Sequence, residues 1–244
     1  MSRSRRVYHP DAREGTELEL SEDEAHHVTR VLRLRAGDRV SVFDGLGGEW
    51  EATLLSSGPD PARVRIGRAC SGVVEAPLAV TIYQGLGRLD RMDWLVQKAT
   101  ETGVRAIRLV TMHRSDSSRG ARGRVGRWQR IALEACKQSG RRVIPEICID
   151  DDLPGSPETG TSPWVLDPRE EAVPISEVLA GNAPSGGVAI VVGPEGGLTP
   201  AETAGLVERG WRRVHLGPRV LRTETAGVVA SALALHVWGD LGRI

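Results

Sequence analysis

Two short stretches concentrate the residue types that ligand chemistry needs. The first, VVGPEGGLTPAE from Val191 to Glu202, runs an apolar strand-like segment into three glycines, a proline and Glu195, then restarts as a helix. Glycine and proline allow a tight turn whose backbone N–H groups stay exposed. Thr199-Pro200-Ala201-Glu202 reads as N-cap, proline at the first helical position and capping-box glutamate. The second stretch, LGPRVLRTETA from Leu216 to Ala226, also follows an apolar segment and opens a helix. It adds a fixed cation, Arg222, and a carboxylate at the mouth of the helix, Glu224. In a parallel sheet two such loops emerge at one edge, where ligands bind. Glu195 is expected to be buried there. Gly85-Leu86-Gly87 opens like a dinucleotide fingerprint, but Asp90 occupies the third glycine position and no acidic residue closes a following strand at the right distance, so no NAD site is expected. Gly193–Gly197 lacks the Lys-Ser/Thr of a phosphate loop.

Positioning those loops requires a strand-helix alternation, and the chain has one from about residue 78 onward. Strands are expected at Leu78–Gln84, Arg105–Thr111, Val143–Ile149, Trp164–Leu166, Val188–Val192 and Arg213–Leu216. Helices are expected at about Asp90–Thr102, stopped by Gly103, then Arg124–Ser139, Ile175–Leu179, Pro200–Arg209 and Thr223–Trp238. This βαβ rhythm predicts an α/β domain with a mostly parallel sheet. The first seventy or so residues read differently. Ser21–Glu24 forms a capping box before a helix carrying His26, His27 and Arg30, after a short strand at Glu17–Leu20. Alternating strands at Arg39–Asp44, Glu49–Leu55 and Arg63–Ala69 predict a small sheet or barrel. The unpatterned Ser71–Pro77 marks the boundary, giving domains 1–72 and 73–244.

The chain has 244 residues, 40% hydrophobic and 26% charged, with no apolar run of membrane-spanning length and no signal-peptide core after MSRSRR. A cytoplasmic protein without a membrane partner is expected. Cys70, Cys136 and Cys148 lack C-x-x-C spacing, and the adjacent His26 and His27 point to different sides of a helix. No metal is expected. The formal net charge is zero, but its distribution is polar: Arg105–Arg142 holds ten Arg and one Lys against two acids, whereas Val143–Glu208 holds one Arg against twelve acids. Only Lys98 and Lys137 are lysines, so the positive region is almost wholly guanidinium, which forks onto phosphate. An RNA-binding face is expected.

GPEGGLT and LGPRVLRTETA, together with DRMDWLVQKATETGV (Asp90–Val104), RWQRIALEACKQSGR (Arg127–Arg141) and HHVTRVLRLRAGDRVSVFDGLGGEW (His26–Trp50), resemble the RsmE family across nearly the whole chain. These methyltransferases modify uridine N3 in small-subunit (16S) ribosomal RNA. Departures are small: Thr102 stands where the family usually has leucine, and Arg88-Leu89 where it has lysine-glycine. The resemblance implies a small PUA-like β-barrel domain followed by a SPOUT domain with a deep trefoil knot, a homodimer, and S-adenosylmethionine as cofactor. It implies a cofactor pocket lined by Leu166, Gly193, Glu195, Gly196, Gly197, Leu216, Gly217, Leu221 and Thr223, with Leu216 and Leu221 flanking the adenine. Arg222 is the expected charge stabiliser, and Glu224 and Glu195 are alternative proton acceptors. The target uridine must be single-stranded or flipped. Arg30, Arg33 and Arg35, then Arg88, Arg91, Arg114, Arg122, Arg124 and Arg127 within the Arg119–Arg130 cluster, are expected to hold RNA phosphates of the small ribosomal subunit. A non-catalytic RNA-binding factor and a ribose 2′-oxygen methyltransferase remain the alternatives, because fold does not fix reaction.

Overall fold

The structure, a computed structural model, describes residues 5–57, 61–72, 74–115, 120–169 and 171–243. Arg119, the first residue of the arginine cluster, lies outside the described residues. The chain divides into two compact units, Met1–Glu75 with Leu133–Ile144, and Ala76–Ala132 with Pro145–Ile244.

The first unit is a five-stranded barrel-like mixed sheet in the order β1-β3-β4-β5-β2, with β1 Arg6–Tyr8, β2 Glu17–Glu19, β3 Arg39–Phe43, β4 Glu49–Ser56 and β5 Arg63–Ala69. β1 runs parallel to β3; the other pairs are antiparallel. Every second residue points inward, so Val40, Val42, Ala52, Leu54, Val64 and Ile66 form its core with Val7, Leu20 and Val28. The helix after β2 differs from the expected one. Helix α1 covers only Glu22–His26, and His27–Val31 continues as a π-helix. Ser21 Oγ accepts from the Glu24 amide at 3.4 Å, but the Glu24 carboxylate does not return the bond. It accepts instead from Lys137 Nζ at 2.7 Å, inside the unit. A hydrogen-bonded ion pair with a buried ammonium outweighs a bond from a neutral amide donor. Arg6, on a strand too short to show a period, pairs with Glu49 at 2.8 Å and donates to the Cys136 and Arg141 carbonyls.

The second unit is a seven-stranded sheet in the order β10-β12-β9-β11-β6-β7-β8, parallel throughout. Its strands are β6 Val80–Gly85, β7 Ala106–Val110, β8 Glu146–Asp150, β9 Ser162–Leu166, β10 Val173–Pro174, β11 Val188–Val192 and β12 Arg212–His215. β11 sits in the middle, and all five of its residues are buried, as a strand covered on both faces requires. Its helices are α2 Leu89–Thr102, α3 Val125–Ser139, α4 Ile175–Leu179, α5 Pro200–Glu208 and α6 Thr223–Trp238; the last two turns of α3 belong to the first unit. α2 buries Met92, Leu95, Val96 and Ala99 and ends at Gly103 with φ 102°, a left-handed cap that only glycine adopts at little cost. It packs on α6, which buries Gly227, Ala230, Ala234 and Leu235 against β6 and β11. On the other side of the sheet Leu206 of α5 and Trp211 cover Tyr83, Val165 and Val191. No described helix is long and apolar enough to cross a membrane.

Candidate functional site

Parallel strands deliver their following loops to one edge, and five loops meet there, after β6, β7, β9, β11 and β12. The glycine turn after β11 is pressed against its neighbours. A Cβ on Gly85 would lie 2.5 Å from the Pro194 backbone nitrogen and 2.7 Å from its ring, and one on Gly87 would fall onto the Glu195 carboxylate. The two glycines that imitate a nucleotide fingerprint are therefore what lets the 193–197 turn approach β6. From the other side, His113 N donates to Glu202 Oε1 at 2.8 Å and Arg114 Nη1 donates to the Gly196 carbonyl at 2.8 Å. Glu202 also closes the capping box of α5 through the Thr199 amide at 2.7 Å. Burial pushes the Glu202 carboxyl up, but the hydrogen bonds from His113 and Thr199 outweigh it and hold the group below the usual range. The first turn of α6 is pinned as well. Thr223 Oγ1 accepts from Gln84 Nε2 at 2.6 Å and donates to the Gly193 carbonyl.

These contacts frame a cavity of about 580 Å³, within the range of sites that enclose a small organic molecule. Leu166, Gly193, Glu195, Gly196, Gly197, Leu216, Gly217, Leu221 and Thr223, all expected around one cofactor, line it. Arg222 lines it too, and Glu224 follows one residue after the lining Thr223. Glu195 is exposed rather than buried, since the turn carrying it forms the cavity rim. Its Oε1 accepts from the Arg88 amide at 3.1 Å and lies 3.6 Å from Arg91 Nη1. Glu224 is buried, with Oε1 3.7 Å from Arg91 Nε. The exposed Arg219 and Arg222 have no carboxylate partner among the described residues, so the rim carries free positive charge.

Sequence reasoning missed Asp167. It follows β9, is buried, lines the cavity, and is gripped by Arg169 at 2.7 Å and Arg213 at 2.8 Å. Burial pushes its carboxyl up, yet the bonds from Arg169 and Arg213 hold it below the usual range. The available signal was a third strand-end loop, VLDPR, at the edge already marked by the other two.

The expected RNA contacts fall in several places. Arg30, Arg33 and Arg35 are exposed on the first unit, and Arg33 adopts φ 55°, the sole described non-glycine residue with positive φ. The neighbouring His27 is pushed below the ordinary imidazole range by burial and by the Lys137 charge. On the second unit Arg91 and Arg114 line the cavity. Arg88 pairs with Asp90 at 3.3 Å, Arg122 with Asp151 at 2.5 Å and Arg127 with Asp93 at 2.8 Å, while Arg124 is half-buried. The cluster is thus partly neutralised by acids distant in sequence. Such exposed pairs are worth little and can open to phosphate.

Comparison with known proteins agrees with this geometry. Residues 74–235 match the family model of an RNA methyltransferase domain, and residues 20–67 that of an RNA methyltransferase PUA domain. The chain is 32% identical to ribosomal RNA small subunit methyltransferase E of Bacillus subtilis, over 89% of each chain. It is 34% identical to that of Mycobacterium bovis, over 85% of this chain and 82% of the relative. The structure of the Neisseria gonorrhoeae protein of the same name, bound to S-adenosyl methionine, superimposes with a TM-score of 0.86 at 33% identity, covering 96% of this chain and 98% of that one.

Proposed function

The chain belongs to the ribosomal RNA small subunit methyltransferase E family, and from that premise we propose that it transfers a methyl group from S-adenosylmethionine to N3 of a uridine in 16S ribosomal RNA. The observation that carries this reading is the cavity at the strand ends, in which every residue expected around the cofactor comes together. The residues fit that cofactor. Leu166, Leu216 and Leu221 supply an apolar slot for an adenine, while the turn of Gly193, Gly196 and Gly197, with Gly217, brings backbone close without side chains in the way. Thr223 and Glu195 complete the lining. When bound, S-adenosylmethionine supplies an activated methyl group on a positively charged sulfur.

The chain's own residues must then bind and orient a uridine, accept its N3 proton, and stabilise the charge that spreads onto the two neighbouring carbonyl oxygens. Arg222 at the rim has no carboxylate partner among the described residues, and its planar fork suits those oxygens. Asp167 is gripped by Arg169 and Arg213, which leaves Glu195 on the cavity lining and Glu224, next in the chain after the lining Thr223, as the carboxylates for the proton. The exposed arginines, Arg30, Arg33 and Arg35 in a PUA-like domain of residues 1–72 and Arg88, Arg114, Arg122 and Arg127 in the methyltransferase domain of 73–244, hold the phosphates around the target together with the half-buried Arg124. The enzyme works in the cytoplasm on the small ribosomal subunit.

Thr223 bonds to Gly193 and Gln84, so the start of the last helix is tied to both the glycine turn and the end of β6. This supports a chain threaded as a deep trefoil knot. The apolar α6, with Val237 exposed beyond its buried face and Leu241 exposed just after its end, supports a homodimer, which light scattering at micromolar concentration checks. The reaction is tested by incubating the protein with labelled cofactor and small subunits, then analysing digested RNA by mass. N3-methyluridine is expected. Methyl on a ribose oxygen would overturn the N3 reading, and absence of any transfer would leave an RNA-binding factor.

A further inference from the structure

We propose that Arg91 is a positioning residue for the transfer, holding Glu224 so that its free oxygen Oε2 accepts the uridine N3 proton. This rests on the uridine-N3 reading above and chooses between the two carboxylates that reading leaves open. Sequence alone groups Arg91 with the phosphate-binding arginines. In the structure its side chain is 26% exposed against 67% for Arg88, and it turns inward to the cavity. There it lies between two carboxylates, with Nη1 3.6 Å from Glu195 Oε1 and Nε 3.7 Å from Glu224 Oε1. One guanidinium thus offsets the mutual repulsion of two anions, one of them buried.

The two carboxylates are not equivalent. Glu195 is committed to the loop: its Oε1 takes the Arg88 amide, and its carboxylate packs on Gly87 where no side chain fits. The Glu224 side chain is 9% exposed, and its Oε2 is covered yet has no hydrogen-bond partner among the described residues. Buried carboxylate oxygens are rarely left without a donor, and the exceptions include groups with a catalytic role; in this proposal the substrate N–H supplies the donor. Glu224 stands in the chain between Thr223 and Ala226, both of which line the cavity, and two residues after Arg222. An imide N–H flanked by two carbonyls, as in uracil, matches that arrangement, with the N–H to Oε2 and a carbonyl to the Arg222 fork. In the step assigned to Glu224 the N3 proton moves to Oε2 and the bonding electron pair stays on N3, which becomes the nucleophile. Arg91 touches neither reacting atom and acts through Glu224.

The test is a mutant cycle in single-turnover transfer with saturating cofactor and RNA, joined to RNA binding across a salt series and cofactor calorimetry. Arg91→Gln is expected to slow transfer about 100-fold, the scale of a misplaced catalytic group, with RNA and cofactor affinities within about twofold of wild type and an unchanged salt slope. Arg91→Lys keeps the cation and should recover most of the rate. The double variant Arg91→Gln/Glu224→Gln should be no slower than Glu224→Gln alone, because residues acting as a unit are not additive. Multiplicative losses in the double variant, or weakened RNA binding with a shallower salt slope at an unchanged saturated rate, would overturn the proposal and return Arg91 to the phosphate contacts. Wild-type protein that methylates RNA elsewhere than N3 would instead fail the reading on which it rests.

Discussion

Gly85→Ala isolates the architecture of the cavity from its chemistry. The added Cβ would sit 2.5 Å from the Pro194 nitrogen, 2.7 Å from Pro194 Cδ and 2.9 Å from Met112 Sδ. Two of these three atoms belong to the rigid proline that begins the glycine turn, so a rotamer change cannot relieve the clash. Restoring ordinary carbon contact at about 3.5 Å requires the turn to move by roughly 1 Å. Overpacking of that kind costs about 1–3 kcal/mol in stability, and if the turn moves away from the cavity a comparable loss appears in cofactor binding. At 1.4 kcal/mol per factor of ten this is an affinity loss of about 10- to 100-fold. Calorimetric titration of S-adenosylmethionine into the variant measures it, beside thermal unfolding. Gly126→Ala is the control: it lies in α3 with no atom within 4 Å of its Cβ position, so it should leave affinity unchanged and raise stability by about 0.5–1 kcal/mol. Wild-type affinity in a folded Gly85→Ala protein would refute the claim that this contact sets the glycine turn.

Arg222→Ala should lower the single-turnover rate by about 100-fold or more with cofactor affinity unchanged, since it removes a preorganised charge, and Arg222→Lys should recover part of it; a near-wild-type rate for the alanine variant would remove Arg222 from the chemistry. Replacing Arg122, Arg124 and Arg127 together with Gln should reduce the slope of log affinity against log salt by about two to three, one phosphate contact contributing about 0.7–0.9; an unchanged slope would assign Arg122 and Arg127 to their partners Asp151 and Asp93. Asp167 sits below its unfolded range, so its contribution to stability is present above about pH 4, the unfolded value, and is lost as pH falls through the lower folded value. Urea midpoints between pH 7 and pH 3 should therefore fall less steeply for Asp167→Asn than for wild type, and parallel curves would show that the Arg169 and Arg213 pairing does not couple to folding.

Local signals in this chain were strong wherever a neighbour in sequence supplies the partner. Thr199 and Glu202 cap α5 as their spacing requires, Gly103 ends α2 in the left-handed conformation, and the period of two in Arg39–Phe43 and Arg63–Ala69 carries the first core. The two glycine loops were legible for the same reason, since a strand running into a turn and then a helix cap is written in consecutive residues. The residues that the family resemblance names around one cofactor line one cavity. What the sequence left open was every contact whose partner lies far along the chain. Ser21–Glu24 spells a capping box, yet Glu24 turns to Lys137, because a buried ammonium competes for the carboxylate more strongly than a nearby amide. Gly85 and Gly87 read in sequence as an incomplete fingerprint, whereas in the fold they make room for the 193–197 turn. Arg91 and Arg127 read in sequence as free positive charge, whereas in the fold Glu195 and Glu224 stand beside the first and Asp93 beside the second. Composition and periodicity describe which groups are present and which way each element faces, but pair energies fall off over a few ångströms. Which carboxylate meets which guanidinium is therefore decided only when the strand order brings distant loops to one edge.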